Sequence, residues 1–81
     1  MMNLEVLVQE FIRLTAGRCD FTAHSKLARA VGNGNLTVAW PRVRNVADSI
    51  ESAERYGYST QEQHRLGQLL GEIEAEWNRQ K

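Results

Sequence analysis

Apolar residues recur every three or four positions along most of this chain, and that spacing most constrains what it can fold into. A central example is residues 41–57 (PRVRNVADSIESAERYG). The apolar residues on one helical face of this segment are Val43, Val46, Ala47, Ile50 and Ala53. Pro41 suits a first helical turn, where its missing N–H would have no intrahelical acceptor, and Gly57 favours a left-handed stop. The pattern predicts a helix over residues 41–57.

Two further segments combine this periodicity with signals for helix ends. Residues 4–16 have Asn3 as a candidate N-cap and Gly17 as a stop. Near the other end of the chain, Ser59 and Glu62 have the Ser-x-x-Glu spacing of a capping box. An apolar face follows the box, and its residues are Leu66, Leu69, Leu70, Ile73 and Trp77. The sequence therefore predicts a first and a last helix.

Gly67 and Gly71 lie four residues apart on one face of the last helix. Each glycine lowers helix stability by about 1 kcal/mol relative to alanine. Small side chains let a second helix approach closely. We expect that helix to belong to the same chain, with a helix from a partner chain as the alternative.

The segment between the first and central helices fits two structures. As a helix over residues 22–31, it has Asp20 or Thr22 as a cap and an apolar face that includes Leu27. As a β-hairpin over residues 25–40, it would turn at Asn33-Gly34, because Asn-Gly is a strong hairpin signal. We favour the helix. We expect residues 36–40 to be extended before Pro41, with Trp40 packed over the core at the corner.

These segments predict a mainly α fold: a small bundle of about three to four helices, with a short β-hairpin around residues 25–40 as the open alternative. At 81 residues the chain is expected to form one domain, residues 1–81. Cys19 is the only cysteine, so no internal disulfide can form, as is usual in a reducing compartment. No apolar run is long enough to span a bilayer. We expect a cytoplasmic protein that does not bind membranes.

Charge is unevenly distributed although the formal net charge is zero. Residues 13–44 carry one acid, Asp20, and six basic residues: Arg13, Arg18, Lys26, Arg29, Arg42 and Arg44. Residues 45–81 carry seven acids and four basic residues. Zero net charge gives no global attraction to nucleic acid, but the first half can offer a local positive patch. We interpret most of these charges as ordinary solvated side chains.

The chain lacks the motifs of common catalytic and cofactor sites. Neither His24 nor His64 has metal-ligand spacing to another histidine or to Cys19. Residues 32–35 (GNGN) lack the Lys-Ser/Thr of a phosphate loop. We interpret Cys19 as a structural thiol and His24 as an exposed histidine. The sequence thus predicts a protein that is not an enzyme, with no catalytic residue, metal site or cofactor.

Our first interpretation of function is protein–protein interaction. Aromatic side chains at the edges of apolar helix faces are common interface anchors. The candidate contacts are Trp40, Tyr56, Tyr58 and Trp77. A small regulatory, accessory or inhibitor protein of a bacterium or phage would have this character, binding another protein or itself as a homodimer.

The alternative is a DNA-binding regulator. The spacing of Leu27, Ala28, Val31, Gly32 and Val38 resembles a helix-turn-helix motif over about twenty residues. The basic segment 26–44 would then supply the nucleic-acid contacts: Lys26, Arg29, Thr37, Arg42 and Arg44. Two residues depart from the motif. Pro41 would interrupt the recognition helix at a cost of about 3 kcal/mol, and Asn33 occupies a position that is normally apolar.

Overall fold

The computed structural model describes residues 3–80, and this range contains four α-helices and no β-strand. The helices are α1 (Leu4–Thr15), α2 (Phe21–Gly32), α3 (Ala39–Asp48) and α4 (Thr60–Arg79). The predicted mainly helical fold is confirmed. The alternative hairpin over residues 25–40 is wrong.

The ends of α1 and α4 follow their local signals. Asn3 Oδ1 accepts the Val6 N–H at 2.9 Å, and Gly17 beyond the helix has a φ of 73°. At α4, Ser59 Oγ accepts the Glu62 N–H at 3.1 Å, and Glu62 Oε1 accepts the Ser59 N–H at 2.9 Å. Both predicted N-caps are therefore confirmed, and the second is a complete capping box.

The Asn-Gly pair that suggested a hairpin instead ends α2. Gly34 has a φ of 73°, its N–H donates to Val31 O at 3.0 Å, and the Asn35 N–H donates to Ala30 O at 2.8 Å. These two bonds form a Schellman motif, which uses a left-handed residue just as a type I′ turn does. The same local signal therefore serves a helix stop, because Leu27 and Val31 are buried on a helical face.

The central helix is shorter than the sequence predicted, since α3 ends at Asp48 rather than near Gly57. Ser49 Oγ donates to Val46 O at 2.6 Å and accepts the Asp20 N–H at 3.1 Å. A serine hydroxyl that bonds nearby backbone groups competes with the helical pattern. Here the Asp20 N–H, from the connection between α1 and α2, also bonds the Ser49 hydroxyl and so favours the end of the helix at this point. Gly57 (φ 81°) lies in a separate turn.

The start of α3 also differs from the prediction, because Ala39 and Trp40 are helical rather than extended. Ala39 is fully buried together with Val43 and Val46, which lie four and seven residues later on the same face. Pro41 becomes the third helical residue, and the first helical N–H that bonds four residues back is that of Arg42, to Val38 O at 3.2 Å. Pro41 therefore removes no intrahelical hydrogen bond.

All four helices contribute to one apolar core. Helix α1 packs mainly against α4, α2 packs mainly against α3, and α1 also contacts α2. The buried apolar residues of this core are Leu4, Leu7, Val8, Phe11, Leu27, Val31, Ala39, Val43, Val46, Leu66, Leu69 and Ile73. Trp40, the second residue of α3, is half-buried against this core, so its predicted packing is confirmed although it does not lie in an extended segment before the helix.

The glycine face of α4 does not contact another helix of this chain. A Cβ built on Gly67 or on Gly71 meets no atom within 4 Å. The expectation of a closely packed helix within the chain is therefore wrong. The apolar face that includes Leu69 and Ile73 points to the core instead.

Between residues 3 and 80, each helix is too short or too polar to cross a membrane.

Candidate nucleic-acid interface

Basic side chains from α2 and α3 meet at one surface depression. Lys26, Arg29 and Asn33 lie three and four residues apart, which places them on one face of α2. Val38 and Arg42 have the corresponding four-residue spacing at the start of α3. Because α2 and α3 are packed neighbours, these faces border a common depression of about 390 Å³. We call it the α2–α3 depression, and its lining residues are Lys26, Arg29, Ala30, Asn33, Asn35, Val38 and Arg42.

The depression is basic because its lining contains three cations, Lys26, Arg29 and Arg42, and no acid. Within residues 3–80, Lys26, Arg29 and Arg42 form no ion pair with a carboxylate. Ion pairs occupy four other arginines: Arg18 with Glu62, Arg55 with Glu51, Arg65 with Glu10, and Arg79 with Glu76. The fold thus neutralises much of its positive charge elsewhere and leaves three cations together at this surface.

Arg42 has an unusual environment within the depression. Its side chain is half-buried, and its Nε atom is fully buried without a hydrogen-bond acceptor in the described part of the chain. Buried donors normally have a partner, because an unpaired one loses its hydration without replacement. The Nε–H of Arg42 is therefore a donor without an acceptor beside a basic surface.

Three of the five sequence-predicted nucleic-acid residues converge and two do not. Lys26, Arg29 and Arg42 line the depression, whereas Thr37 and Arg44 are outside its lining. Thr37 is committed within the fold: its hydroxyl donates to Asn35 Oδ1 at 2.6 Å, and its carbonyl accepts the Trp77 Nε1–H at 3.3 Å. Arg44 is exposed on α3, two residues from Arg42 and hence on a different side of the helix.

The four aromatic candidates for a protein interface do not form one surface. Tyr58 precedes α4 and Trp77 lies near its other end, so the length of a 20-residue helix, roughly 30 Å, separates them. Trp40, Tyr56 and Trp77 are half-buried, whereas Tyr58 is only 4% exposed. The structure thus places Tyr58 in the interior and the other three at its edge.

Tyr58 belongs to a cluster around Arg18 that sequence reasoning missed. The Arg18 guanidinium lies 4.5 Å from the centre of the Tyr58 ring and donates to both Glu62 carboxylate oxygens, at 3.0 and 2.7 Å. In return, the Tyr58 hydroxyl donates to Arg18 O at 3.1 Å. Burial raises the pKa of Tyr58 to about 12. No spacing pattern predicts this cluster, because Arg18 lies 40 residues or more from its partners.

The asparagines of the depression were also missed, although α2 carried a signal for one of them. Lys26, Arg29 and Asn33 share a helical face that the periodicity alone could have identified. Asn35 could not have been found in this way, because the Schellman motif after α2 brings it back to the depression.

Cys19 and His24 each bond a backbone carbonyl of α1. Cys19 Sγ donates to Thr15 O at 3.3 Å, and burial raises the pKa of the Cys19 thiol. His24 Nε2 lies 2.9 Å from Ile12 O, and its side chain is half-buried rather than exposed as predicted. Over residues 3–80, no group of three His, Cys, Asp or Glu side chains is arranged to hold a metal ion.

Comparisons with protein-family models, with curated proteins and with solved structures find no match to this chain.

Proposed function

We propose that this protein is a small, non-enzymatic nucleic-acid-binding protein whose α2–α3 depression contacts the phosphate backbone. The observation that carries the proposal is the convergence of Lys26, Arg29 and Arg42 on one surface without a carboxylate partner. Phosphates account for most of the affinity of nucleic-acid-binding proteins, and unpaired cations are their usual contacts.

The position of Pro41 removes an objection that the sequence raised. Within the first turn of α3, Pro41 breaks no hydrogen bond, so the helix that carries Arg42 is intact at this point. Asn33 is the other residue that departs from the helix-turn-helix pattern. It is exposed at the end of α2 and borders the depression.

At this depression we propose contacts to phosphates only, and no recognition of base edges in a groove. The connection between α2 and α3 covers residues 33–38, which is longer than the roughly 3–4-residue turn of a helix-turn-helix motif. Contacts to backbone phosphates position a protein on nucleic acid without specifying sequence. We therefore expect binding that depends strongly on salt and weakly on sequence.

The salt dependence of binding to a short DNA duplex tests this proposal. If the three cations each neutralise one phosphate, log K should fall with log salt with a slope of about −2.7, which is about a 40-fold loss between 50 and 200 mM salt. Replacement of any one of them by glutamine (Lys26→Gln, Arg29→Gln or Arg42→Gln) should reduce the slope by about 0.9.

Arg44→Gln is the matched control, because it removes one exposed charge from α3 outside the depression. It should leave the slope nearly unchanged. No measurable binding at low salt would refute the proposal, and so would an equal loss of slope in Arg44→Gln and Arg42→Gln.

Protein binding is a second candidate function, and the environment of Phe21 supports it. Phe21 is the first residue of α2, and 82% of its surface is exposed. A large exposed aromatic side chain is typical of an interface anchor. For self-association, sedimentation of the wild type and of Phe21→Ser at several concentrations is the test. A wild type that remains monomeric at high micromolar concentration excludes the homodimer.

A further inference from the structure

A second cavity, of about 320 Å³, lies where the connection between α2 and α3 meets the C-terminal end of α4. We call it the Trp77 cleft, and its lining residues are Gly34, Leu36, Thr37, Trp77 and Gln80. Within residues 3–80, this lining contains no charged side chain. An uncharged cleft beside an indole ring suits a flat, neutral group rather than an anion.

The connection between α2 and α3 separates the Trp77 cleft from the α2–α3 depression. Positions 33, 35 and 38 of this connection line the depression, whereas positions 34, 36 and 37 line the cleft. The two cavities therefore lie on either side of a single backbone segment. One is basic and the other is uncharged and aromatic.

The Trp77 ring is held in place from two directions. Its Nε1–H donates to Thr37 O at 3.3 Å, and the ring packs half-buried against the core. The connection is fixed in turn, because the Thr37 hydroxyl donates to Asn35 Oδ1 at 2.6 Å. The fold thus sets the position of the ring relative to the depression before any ligand binds.

We infer that the protein binds single-stranded nucleic acid, with one base stacked on Trp77 in the cleft and phosphates at the α2–α3 depression. The inference rests on the proposed function, because the depression supplies the phosphate contacts in both, and it adds the class of nucleic acid. Proteins that bind single strands without sequence preference combine a basic surface with aromatic side chains on which bases stack. A base within a duplex is already stacked and paired, so it would have to be extruded at a cost before it entered the cleft.

Two strands of equal charge test the inference on the intact chain. One is an oligothymidylate of about ten nucleotides, and the other has the same length but only abasic nucleotides. Both offer the same phosphates, and only the first offers bases. At about 0.15 M salt, the oligothymidylate should bind at least about fivefold more tightly than the abasic strand and than a duplex of the same length. Equal affinities for the two strands would overturn the inference.

Substitutions of Trp77 provide a second test. Trp77→Leu removes the aromatic ring and should abolish the preference for the oligothymidylate. It should leave the salt slope unchanged at about −2.1, the value for three phosphate contacts on a single strand. Trp77→Phe is the matched variant, because it keeps an aromatic ring and should retain most of the preference. Thermal unfolding checks that both variants fold, and if Trp77→Leu does not, the comparison of the two strands still decides. A preference that persists in folded Trp77→Leu contradicts stacking on Trp77.

Fluorescence reports on the ring directly. The chain has two tryptophans, so Trp40→Phe leaves Trp77 as the single fluorescent indole, and Trp40 lies outside the lining of both cavities. Oligothymidylate should quench this fluorescence with a saturable dependence, because a base stacks on the ring. The abasic strand at saturation should quench it much less. Absence of quenching by bound oligothymidylate would place the bases elsewhere and overturn the inference.

The outcomes separate this inference from the proposed function. If the duplex shows the expected salt slope but the two strands bind equally, the inference is overturned and the basic interface is retained. If neither the duplex nor either strand binds at low salt, both are overturned. If the oligothymidylate binds but Arg29→Gln leaves its salt slope unchanged, the phosphates lie outside the depression, and both are again overturned. A base-dependent gain in affinity that is lost in Trp77→Leu, together with quenching of Trp77, supports the inference.

Discussion

Gly67 and Gly71 face open space on α4, which gives a sharp prediction for their replacement by alanine. A Cβ added at either position meets no atom within 4 Å, and neither glycine has a positive φ. The substitutions Gly67→Ala and Gly71→Ala therefore introduce no clash within the chain. Their main effect is to reduce the backbone conformational entropy that the chain loses when these positions become helical.

The magnitude follows from helix propensity. Each substitution should stabilise the fold by about 0.5–1 kcal/mol, so the double variant should gain about 1–2 kcal/mol. The 81-residue chain is expected to have a total stability of only about 4–12 kcal/mol. At this size, 1 kcal/mol corresponds to about 4–8 °C in Tm, so the double variant should melt about 4–16 °C higher than the wild type.

Thermal unfolding monitored by circular dichroism, at two protein concentrations, measures the effect. Gly57→Ala is the matched control, because Gly57 has a φ of 81° in the turn before α4. The same chemical change should destabilise the protein there by about 1–2 kcal/mol. The sign of the effect is thus decided by backbone conformation rather than by the added methyl group.

A lower Tm for Gly67→Ala or Gly71→Ala at both concentrations would refute the reasoning, since it would mean that the added methyl groups meet other atoms of the chain. A loss confined to the higher concentration would instead indicate that a second copy packs against this face of α4.

Three further predictions concern α4 and its N-terminus. Leu69→Ala, at a fully buried residue, should cost about 2–5 kcal/mol in urea unfolding, whereas Leu70→Ala, at a half-buried one, should cost less; equal losses would contradict the assigned core face. Ser59→Ala should cost about 1 kcal/mol in the same assay by removing the capping hydroxyl, and an unchanged midpoint would contradict the role of the box. The Arg18 guanidinium, followed by the Ser59 N–H, lowers the pKa of Glu62 to about 2, so the fold gains stability from this carboxylate above its ordinary pKa near 4.5 and loses it as pH falls toward 2. Glu62→Gln should flatten that part of the stability–pH profile, and an unchanged acid limb would show that other groups cause it.

Helix ends were predictable where one local signal had one outcome. Asn3 and the Ser59–Glu62 box each bond N–H groups within three residues, so the local sequence is enough to identify them. The Asn33-Gly34 signal was ambiguous, because a left-handed residue serves both a hairpin turn and a Schellman motif. Packing of Leu27 and Val31 into the core decided between them.

In the candidate site, too, some features were predictable from the sequence and others depended on the fold. The sequence marked Lys26, Arg29 and Arg42 as members of a basic segment, together with Thr37 and Arg44. It could not tell which of them converge, because that depends on how α2 and α3 pack. It also could not tell which arginines are neutralised, since Arg18 and Arg65 are paired with carboxylates 44 and 55 residues away.

The sequence by itself determined that the chain is helical, where α1 and α4 begin, and which apolar residues could face a core, because hydrogen bonds and periodicity within a few residues set these features. Tertiary structure decided that α3 ends at Asp48, where Ser49 bonds to the distant Asp20, and that three unpaired cations share one depression. The physical reason is the distance along the chain over which each interaction acts. Caps and helical periodicity act over about one helical turn, whereas ion pairing and the meeting of two helix faces depend on the path of the whole chain.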